Sequence, residues 1–274
     1  MRGTLTTREF ELQQGLLGAL ERKELVMFYQ PQIPIQSGQE GKHRAEVLIR
    51  WIRDGQIYAM PGEFIPLFEQ QKQIAKLDYY VLEETCARLK RIENASGYRI
   101  ALAVNISRQT AEQPGFFEFC SSCCKRYGLS EKALELEFTE GEIISDYQKF
   151  SLLLEQLKGH GFRCAMDDFG SGQSSILELQ KLEFDVLKLD RMFFADDASK
   201  ERQMVILENV IAMAKMLHME VVAEGIEKST WVKHLRRLGC DYIQGFLYSQ
   251  PLNELAYMDW IEKNRYRKSL YSEP

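Results

Sequence analysis

Hydrophobic and polar positions alternate over short stretches of this chain and recur at helical spacing over the longer stretches between them. Over 133–139, Leu134, Leu136 and Phe138 face one way and Glu135, Glu137 and Thr139 the other, the period of two that marks a strand. Over 99–107, Leu102, Val104 and Ile106 oppose Ala101, Ala103 and Asn105. Over 44–53, Glu46, Leu48 and Arg50 oppose Val47, Ile49 and Trp51. Further strands are predicted over 25–35, in the run ending at Asp167, and over 186–190, 221–224 and 242–246. Helical spacing predicts a first helix over 6–22. Thr6 and Glu9 form its capping box and Phe10, Leu16, Leu17 and Leu20 its apolar side. Two helices are predicted within 63–92, then one each over 114–127, 146–160, 201–217, 229–238 and 254–267, with a short one from 174.

Only residues 36–43 separate the first two strands. A parallel crossover needs a dozen or more residues, so these two form an antiparallel hairpin. From there strands and helices alternate, which implies a mostly parallel sheet. Eight strands in 274 residues favour an α/β fold, a TIM-like (β/α)8 barrel with one antiparallel strand. The division expected is an N-terminal helical extension over 1–24 and the barrel domain over 25–274.

Composition narrows the function. A formal net charge of −5 argues against general nucleic-acid binding and against an anionic membrane surface. The chain shows no signal peptide and no apolar run long enough to span a bilayer. Six cysteines without regular spacing suggest free thiols in a reducing, cytoplasmic setting. Cys120, Cys123 and Cys124 share a helix face and read as core, as do Met204, Met213 and Met216.

The chemistry is concentrated late in the strands. Glu46, Asn105, Glu137, Asp167, Lys188, Glu224 and Gln244 each interrupt an apolar run. Charged residues inside strands are costly unless paired or bound to metal. In a barrel the carboxyl ends of the strands converge on one mouth, where active sites sit. Asp167 and Asp168 are adjacent carboxylates before a loop, Gly170-Ser171-Gly172-Gln173-Ser174-Ser175. Such carboxylates repel one another and favour a counter-cation. Carboxylates with one amide are hard oxygen donors suited to Mg²⁺, Mn²⁺ or Ca²⁺. The four histidines fall in predicted loops and helices, which argues against a histidine-rich zinc site.

The ordered motifs resemble the bacterial EAL domain, the cyclic di-GMP-specific phosphodiesterase family. They are Tyr29-Gln30-Pro31, Glu46-Val47-Leu48-Ile49-Arg50-Trp51, Glu63-Phe64-Ile65-Pro66-Leu67, Val104-Asn105-Ile106-Ser107, Glu137-Phe138-Thr139-Glu140, Asp167-Asp168-Phe169-Gly170, Asp185-Val186-Leu187-Lys188-Leu189-Asp190, Ala223-Glu224-Gly225-Ile226-Glu227 and Gln244-Gly245. The resemblance covers roughly 25–252. It implies hydrolysis of cyclic di-GMP to linear pGpG with two cations, Mg²⁺ or Mn²⁺, and inhibition by Ca²⁺. It implies that Glu46, Asn105, Glu137 and Asp167 hold one cation. Asp167, Asp168 and Glu224 would hold the second, Lys188 would orient water, Glu224 would act as base or ligand, and Gln244 would support the water network. Gln30, Leu48, Arg50, Asp190 and Glu227 would contact substrate, and Glu140 would brace the loop after Asp168. A homodimer and covalently linked sensor or GGDEF domains are further expectations, with the chain as the cytoplasmic portion of a larger regulator. The signature triplet here reads Glu-Val-Leu, and Ser171 and Gln173 depart from the family's Thr and Tyr. These departures motivate an alternative, a non-hydrolysing cyclic di-GMP receptor. The carboxylate-plus-lysine pattern alone also allows a barrel metalloenzyme that abstracts a proton with Lys188.

Overall fold

The computed structural model describes residues 6–37, 43–139, 147–171, 175–195 and 200–264. Among these residues nine strands form one sheet: β1 (Leu25–Pro34), β2 (His43–Arg53), β3 (Gln56–Ala59), β4 (Ile100–Asn105), β5 (Leu134–Thr139), β6 (Arg163–Phe169), β7 (Val186–Leu189), β8 (Glu220–Ala223) and β9 (Tyr242–Ile243). Their order is β1-β9-β8-β7-β6-β5-β4-β2-β3, and a β1–β2 pairing closes eight of them into a barrel. β1 runs antiparallel to both its neighbours, β2 and β9. The other barrel pairings are parallel. The fold expected from the alternation is therefore present, with β3 as an addition outside the ring. β3 follows a tight turn in which Asp54 and Gly55 both have positive φ, 53° and 75°. Asp-Gly suits a two-residue hairpin turn, so this strand had a legible signal that the alternation alone did not use.

The helices are α1 (Thr7–Glu21), α2 (Pro61–Gln70), α3 (Ile74–Ser96), α4 (Arg108–Ala111), α5 (Phe116–Tyr127), α6 (Tyr147–Gly159), α7 (Ser175–Lys181), α8 (Lys200–Met216), α9 (Thr230–Leu238) and α10 (Glu254–Asn264). The capping box of α1 forms as expected, with Thr6 and Glu9 bonded reciprocally. Its buried face differs from the expectation. Leu12, Leu16 and Ala19 are buried, whereas Phe10 and Leu17 are about half exposed. Leu12 and Leu16 are each worth roughly 1.5–3 kcal/mol of burial, enough to fix α1 against the barrel.

The main core lies between the outward strand faces and the helices. It takes in Leu102, Val104, Leu134, Leu136 and Phe138 from the strands and Leu82 and Leu89 from α3. A second, small cluster of Ala165, Val186, Val222 and Tyr242 is separate from it. All four sit on the barrel-facing side of their strands, so they fill the barrel's middle. All six cysteines are buried free thiols. Met213 packs on the core, but Met216 is exposed at the end of α8, so the methionine expectation fails there. Among the described residues no helix is long and apolar enough to cross a membrane.

Candidate active site

Alternation along the strands stacks the barrel interior in three layers. Toward the strands' N-terminal ends lie Arg44, Glu135, Arg163 and Glu220. The apolar cluster Ala165, Val186, Val222 and Tyr242 comes next. Asp167, Lys188, Glu224 and Gln244 stand two residues beyond these, and Glu46 and Glu137 stand two residues beyond Arg44 and Glu135. The period of two thus delivers the predicted polar residues to the carboxyl end together.

Lys188 is the centre of that layer and is fully buried. Its Nζ lies 2.8 Å from Glu137 Oε1, 2.9 Å from Glu224 Oε1, 3.0 Å from Asp167 Oδ1 and 3.5 Å from Glu46 Oε2. These are ion pairs by distance, yet the angles leave Lys188 Nζ, both Glu137 oxygens and Glu224 Oε1 without an aligned hydrogen bond. Burial pushes Glu137, Asp167 and Glu224 upward in pKa and their mutual repulsion adds to it, while Lys188 pulls them down. Burial alone would lower Lys188, but Asp167, Glu137, Glu224 and Glu46 raise it well above its usual value. One ammonium cannot neutralise this many buried carboxylates, so the cluster is short of positive charge.

Two groups of carboxylates have ligand atoms all within 4.8 Å of one another: Glu46, Glu137 and Asp167, and Asp167, Asp168 and Glu224. Asp167 is common to both. Buried oxygens lacking aligned partners, in an all-oxygen donor set, fit hard divalent cations. Adjacent strand residues normally point to opposite faces, so Asp167 and Asp168 should not converge. A register shift between Met166 and Phe169 in the β6–β7 pairing resolves this. Asp168 adopts φ 55° there, a conformation Asp tolerates better than most residues. Such bulges re-aim side chains beside active sites. Burial and the neighbouring Asp167 raise the Asp168 carboxyl to about 6.

The other expected residues divide. Asn105, exposed at the end of β4, donates its amide to Glu46 Oε1 at 2.8 Å. Gln244 also donates to Glu46, at Oε2, 2.6 Å away, and to Gln30 Oε1 at 3.3 Å. Its own amide oxygen accepts from Gln32 at 3.2 Å. Gln244 is thus a clamp on Glu46. Gln30 is buried and tied to Gln244 and to the Ser249 carbonyl. Arg50 is part-buried and donates to the Ile49 carbonyl, and burial lowers its pKa. Leu48 borders a cavity of about 220 Å³ shared with Asn105 and Thr139. Asp190 caps a 3-10 turn by accepting from the Met192 amide at 2.8 Å. Glu227 is exposed and has no hydrogen bond or ion pair among the described residues. Glu140 and Gln173 lie outside the described residues.

Sequence reading missed Gln32 and Asp78. Asp78 on α3 accepts from the Ser107 amide, the Ser107 hydroxyl and the Thr110 hydroxyl at 3.0, 2.7 and 2.6 Å, and so fixes the turn that follows Asn105. A carboxylate on the buried stripe of a helix was its only signal. Gly245 lets the end of β9 touch the chain just after β8, and Gly225 leaves room for Arg191 in the turn after β7. A Cβ on Gly245 would stand 2.2 Å from the Ile226 carbonyl oxygen.

The chain matches the EAL domain family model over residues 13–251. It is 34% identical over 260 residues to "Cyclic di-GMP phosphodiesterase NbdA" of Pseudomonas aeruginosa, covering 95% of this chain and 33% of that protein. It is 32% identical over 244 residues to "Bifunctional diguanylate cyclase/cyclic di-GMP phosphodiesterase MucR" of the same organism, covering 89% and 35%. The chain therefore spans about a third of the length of these curated relatives. A solved structure titled "PaMucR Phosphodiesterase, c-di-GMP complex" superposes with a TM-score of 0.81 at 32% identity, covering 90% of this chain and 99% of that one. With the barrel, the paired carboxylate groups and the ordered motifs in agreement, the chain belongs to the EAL domain family.

Proposed function

We propose that this protein hydrolyses cyclic di-GMP to linear pGpG. The observation that carries the reading is the pair of carboxylate groups sharing Asp167 around buried Lys188. The names of the relatives and the titled complex support the substrate. Glu46, Asn105, Glu137 and Asp167 would hold one Mg²⁺ or Mn²⁺, and Asp167, Asp168 and Glu224 the other. Such ions, when bound, lower the pKa of water and stabilise charge on the attacking and leaving oxygens. Ca²⁺ would bind with looser geometry and inhibit.

The chain's own residues supply the rest. Lys188 holds an ammonium proton at Nζ toward the attacking water, and Glu224 accepts that water's proton. Water adds to phosphorus while the P–O3′ bond breaks, and the proton taken up by Glu224 passes to O3′, leaving a 3′-hydroxyl and a 5′-phosphate. Gln244 and Asn105 fix Glu46 from two sides. Arg50, on the same strand face as Glu46, meets a substrate phosphate, and Gln30, Leu48, Asp190 and Glu227 border the dinucleotide. Residues 1–24 serve as an N-terminal extension, carrying α1, to a phosphodiesterase domain over 25–274. The domain works as a homodimer, in the cytoplasm, linked to sensor or GGDEF domains. The test is incubation with cyclic di-GMP and Mg²⁺ and resolution of products over time. Accumulating pGpG supports the reading. Tight binding without pGpG makes the chain a receptor and overturns it.

A further inference from the structure

We propose that the N-terminal mouth of the barrel, opposite the carboxylate layer, is a second ligand site that takes a small phosphate-bearing anion. The mouth is floored by Arg44, Glu135, Arg163 and Glu220. Arg44 donates to Glu135 at 2.6 Å and Glu220 at 2.7 Å, and Arg163 to Glu135 at 3.0 Å and Glu220 at 2.5 Å. This floor and the apolar layer above it separate the mouth from the proposed catalytic end. Outside the floor lies a cavity of about 770 Å³, within the range of small-molecule sites.

Among the cavity's uncommitted side chains, the donors His43, Arg99 and Lys132 outnumber the one carboxylate free among the described residues, Glu93, and so favour an anion. His43, the first residue of β2, lines it and is only 6% exposed, yet its Nε2 is buried without a hydrogen-bond partner. This corrects the expectation that all four histidines occupy loops or helices. A buried polar nitrogen left unpaired costs stability that a ligand can return. Arg99 and Lys132 stand exposed on the rim, and neither has an ion pair among the described residues. Arg163 spends Nε and Nη2 on the floor, which leaves Nη1 for a further acceptor. Two exposed cations, a guanidinium nitrogen and a ring nitrogen thus belong to residues that line one cavity from four separate segments. Donors spread in this way suit a tetrahedral oxyanion better than a planar carboxylate.

The experiment is calorimetric titration of inorganic pyrophosphate into the full chain, kept metal-free with chelator so that the carboxylate layer cannot recruit the anion through a cation. The expected result is saturable one-site binding that Arg99→Ala/Lys132→Ala weakens by at least about tenfold, equivalent to about 1.4 kcal/mol. His43→Phe weakens it as well, and Arg50→Ala, at the opposite mouth, leaves it unchanged. Both rim residues are exposed, so the double variant folds even if His43→Phe does not. A nucleoside diphosphate titrated in parallel separates the sources. Equal affinity assigns the site to the oxyanion alone, and tighter binding that the double variant also weakens adds the nucleoside. No saturable binding at millimolar pyrophosphate, or binding that follows Arg50 and ignores Arg99 and Lys132, overturns the proposal.

Discussion

Replacing Lys188 with methionine keeps most of the side-chain volume and removes the only cation within ion-pair distance of Glu46, Glu137, Asp167 and Glu224 among the described residues. In chelator the variant leaves largely buried carboxylates facing one another without a counter-cation. Removing one partner from a buried ion pair costs about 3–5 kcal/mol. At roughly 2–4 °C per kcal/mol for a domain near this size, Lys188→Met should unfold about 10 °C below the parent. Saturating Mg²⁺ should return most of that loss, and should stabilise the variant more than the parent. Divalent cations replace the missing charge and no longer meet a like charge beside them. The assay is thermal unfolding of both proteins in chelator and in Mg²⁺, with calorimetric binding of cyclic di-GMP in Ca²⁺. Binding should persist while turnover in Mg²⁺ is lost, because an interaction made mainly in the transition state affects rate more than affinity. A variant within about 2 °C of the parent in chelator, or one that Mg²⁺ does not rescue, would refute the charge-balance argument.

Three further outcomes are expected. Burial raises Asp78 to about 6, above its unfolded value, so its contribution to stability is whole below pH 4 and is lost as pH rises through 6. Denaturant unfolding from pH 4 to 7.5 should show the parent losing on the order of 2 kcal/mol relative to Asp78→Asn, and parallel curves would contradict this. Arg44→Met leaves buried Glu135 and part-buried Glu220 sharing Arg163 alone and should cost about 3 kcal/mol in urea unfolding, where an unchanged midpoint would count against the ion network. Gly245→Ala drives a Cβ into the Ile226 backbone and should cost at least about 2 kcal/mol by thermal unfolding, because no flexible atom can move aside.

Much of the fold is legible because each strand carries its own period. Leu134, Leu136 and Phe138 face the helices and Glu135 and Glu137 the barrel interior, as their alternation requires. The same period brings Glu137, Asp167, Lys188 and Glu224 to one end. Other features depend on relations that no local pattern encodes. The Gln244–Glu46 clamp spans 198 residues of sequence. The convergence of Asp167 and Asp168 rests on a register shift between two strands, where strict alternation separates them. The floor escaped notice because Arg44, Arg163 and Glu220 stand near strand starts, where a charged residue reads as solvated. The exposed side of α1 escaped because Phe10 and Leu17 are apolar without a neighbour to cover them among the described residues.

The most direct test of the two-cation phosphodiesterase account is pGpG formation from cyclic di-GMP as Mg²⁺ or Mn²⁺ is titrated into chelator-stripped protein. The account predicts no pGpG before addition, turnover that rises with the ion, and no recovery with Ca²⁺. Undiminished turnover in the stripped protein would contradict it.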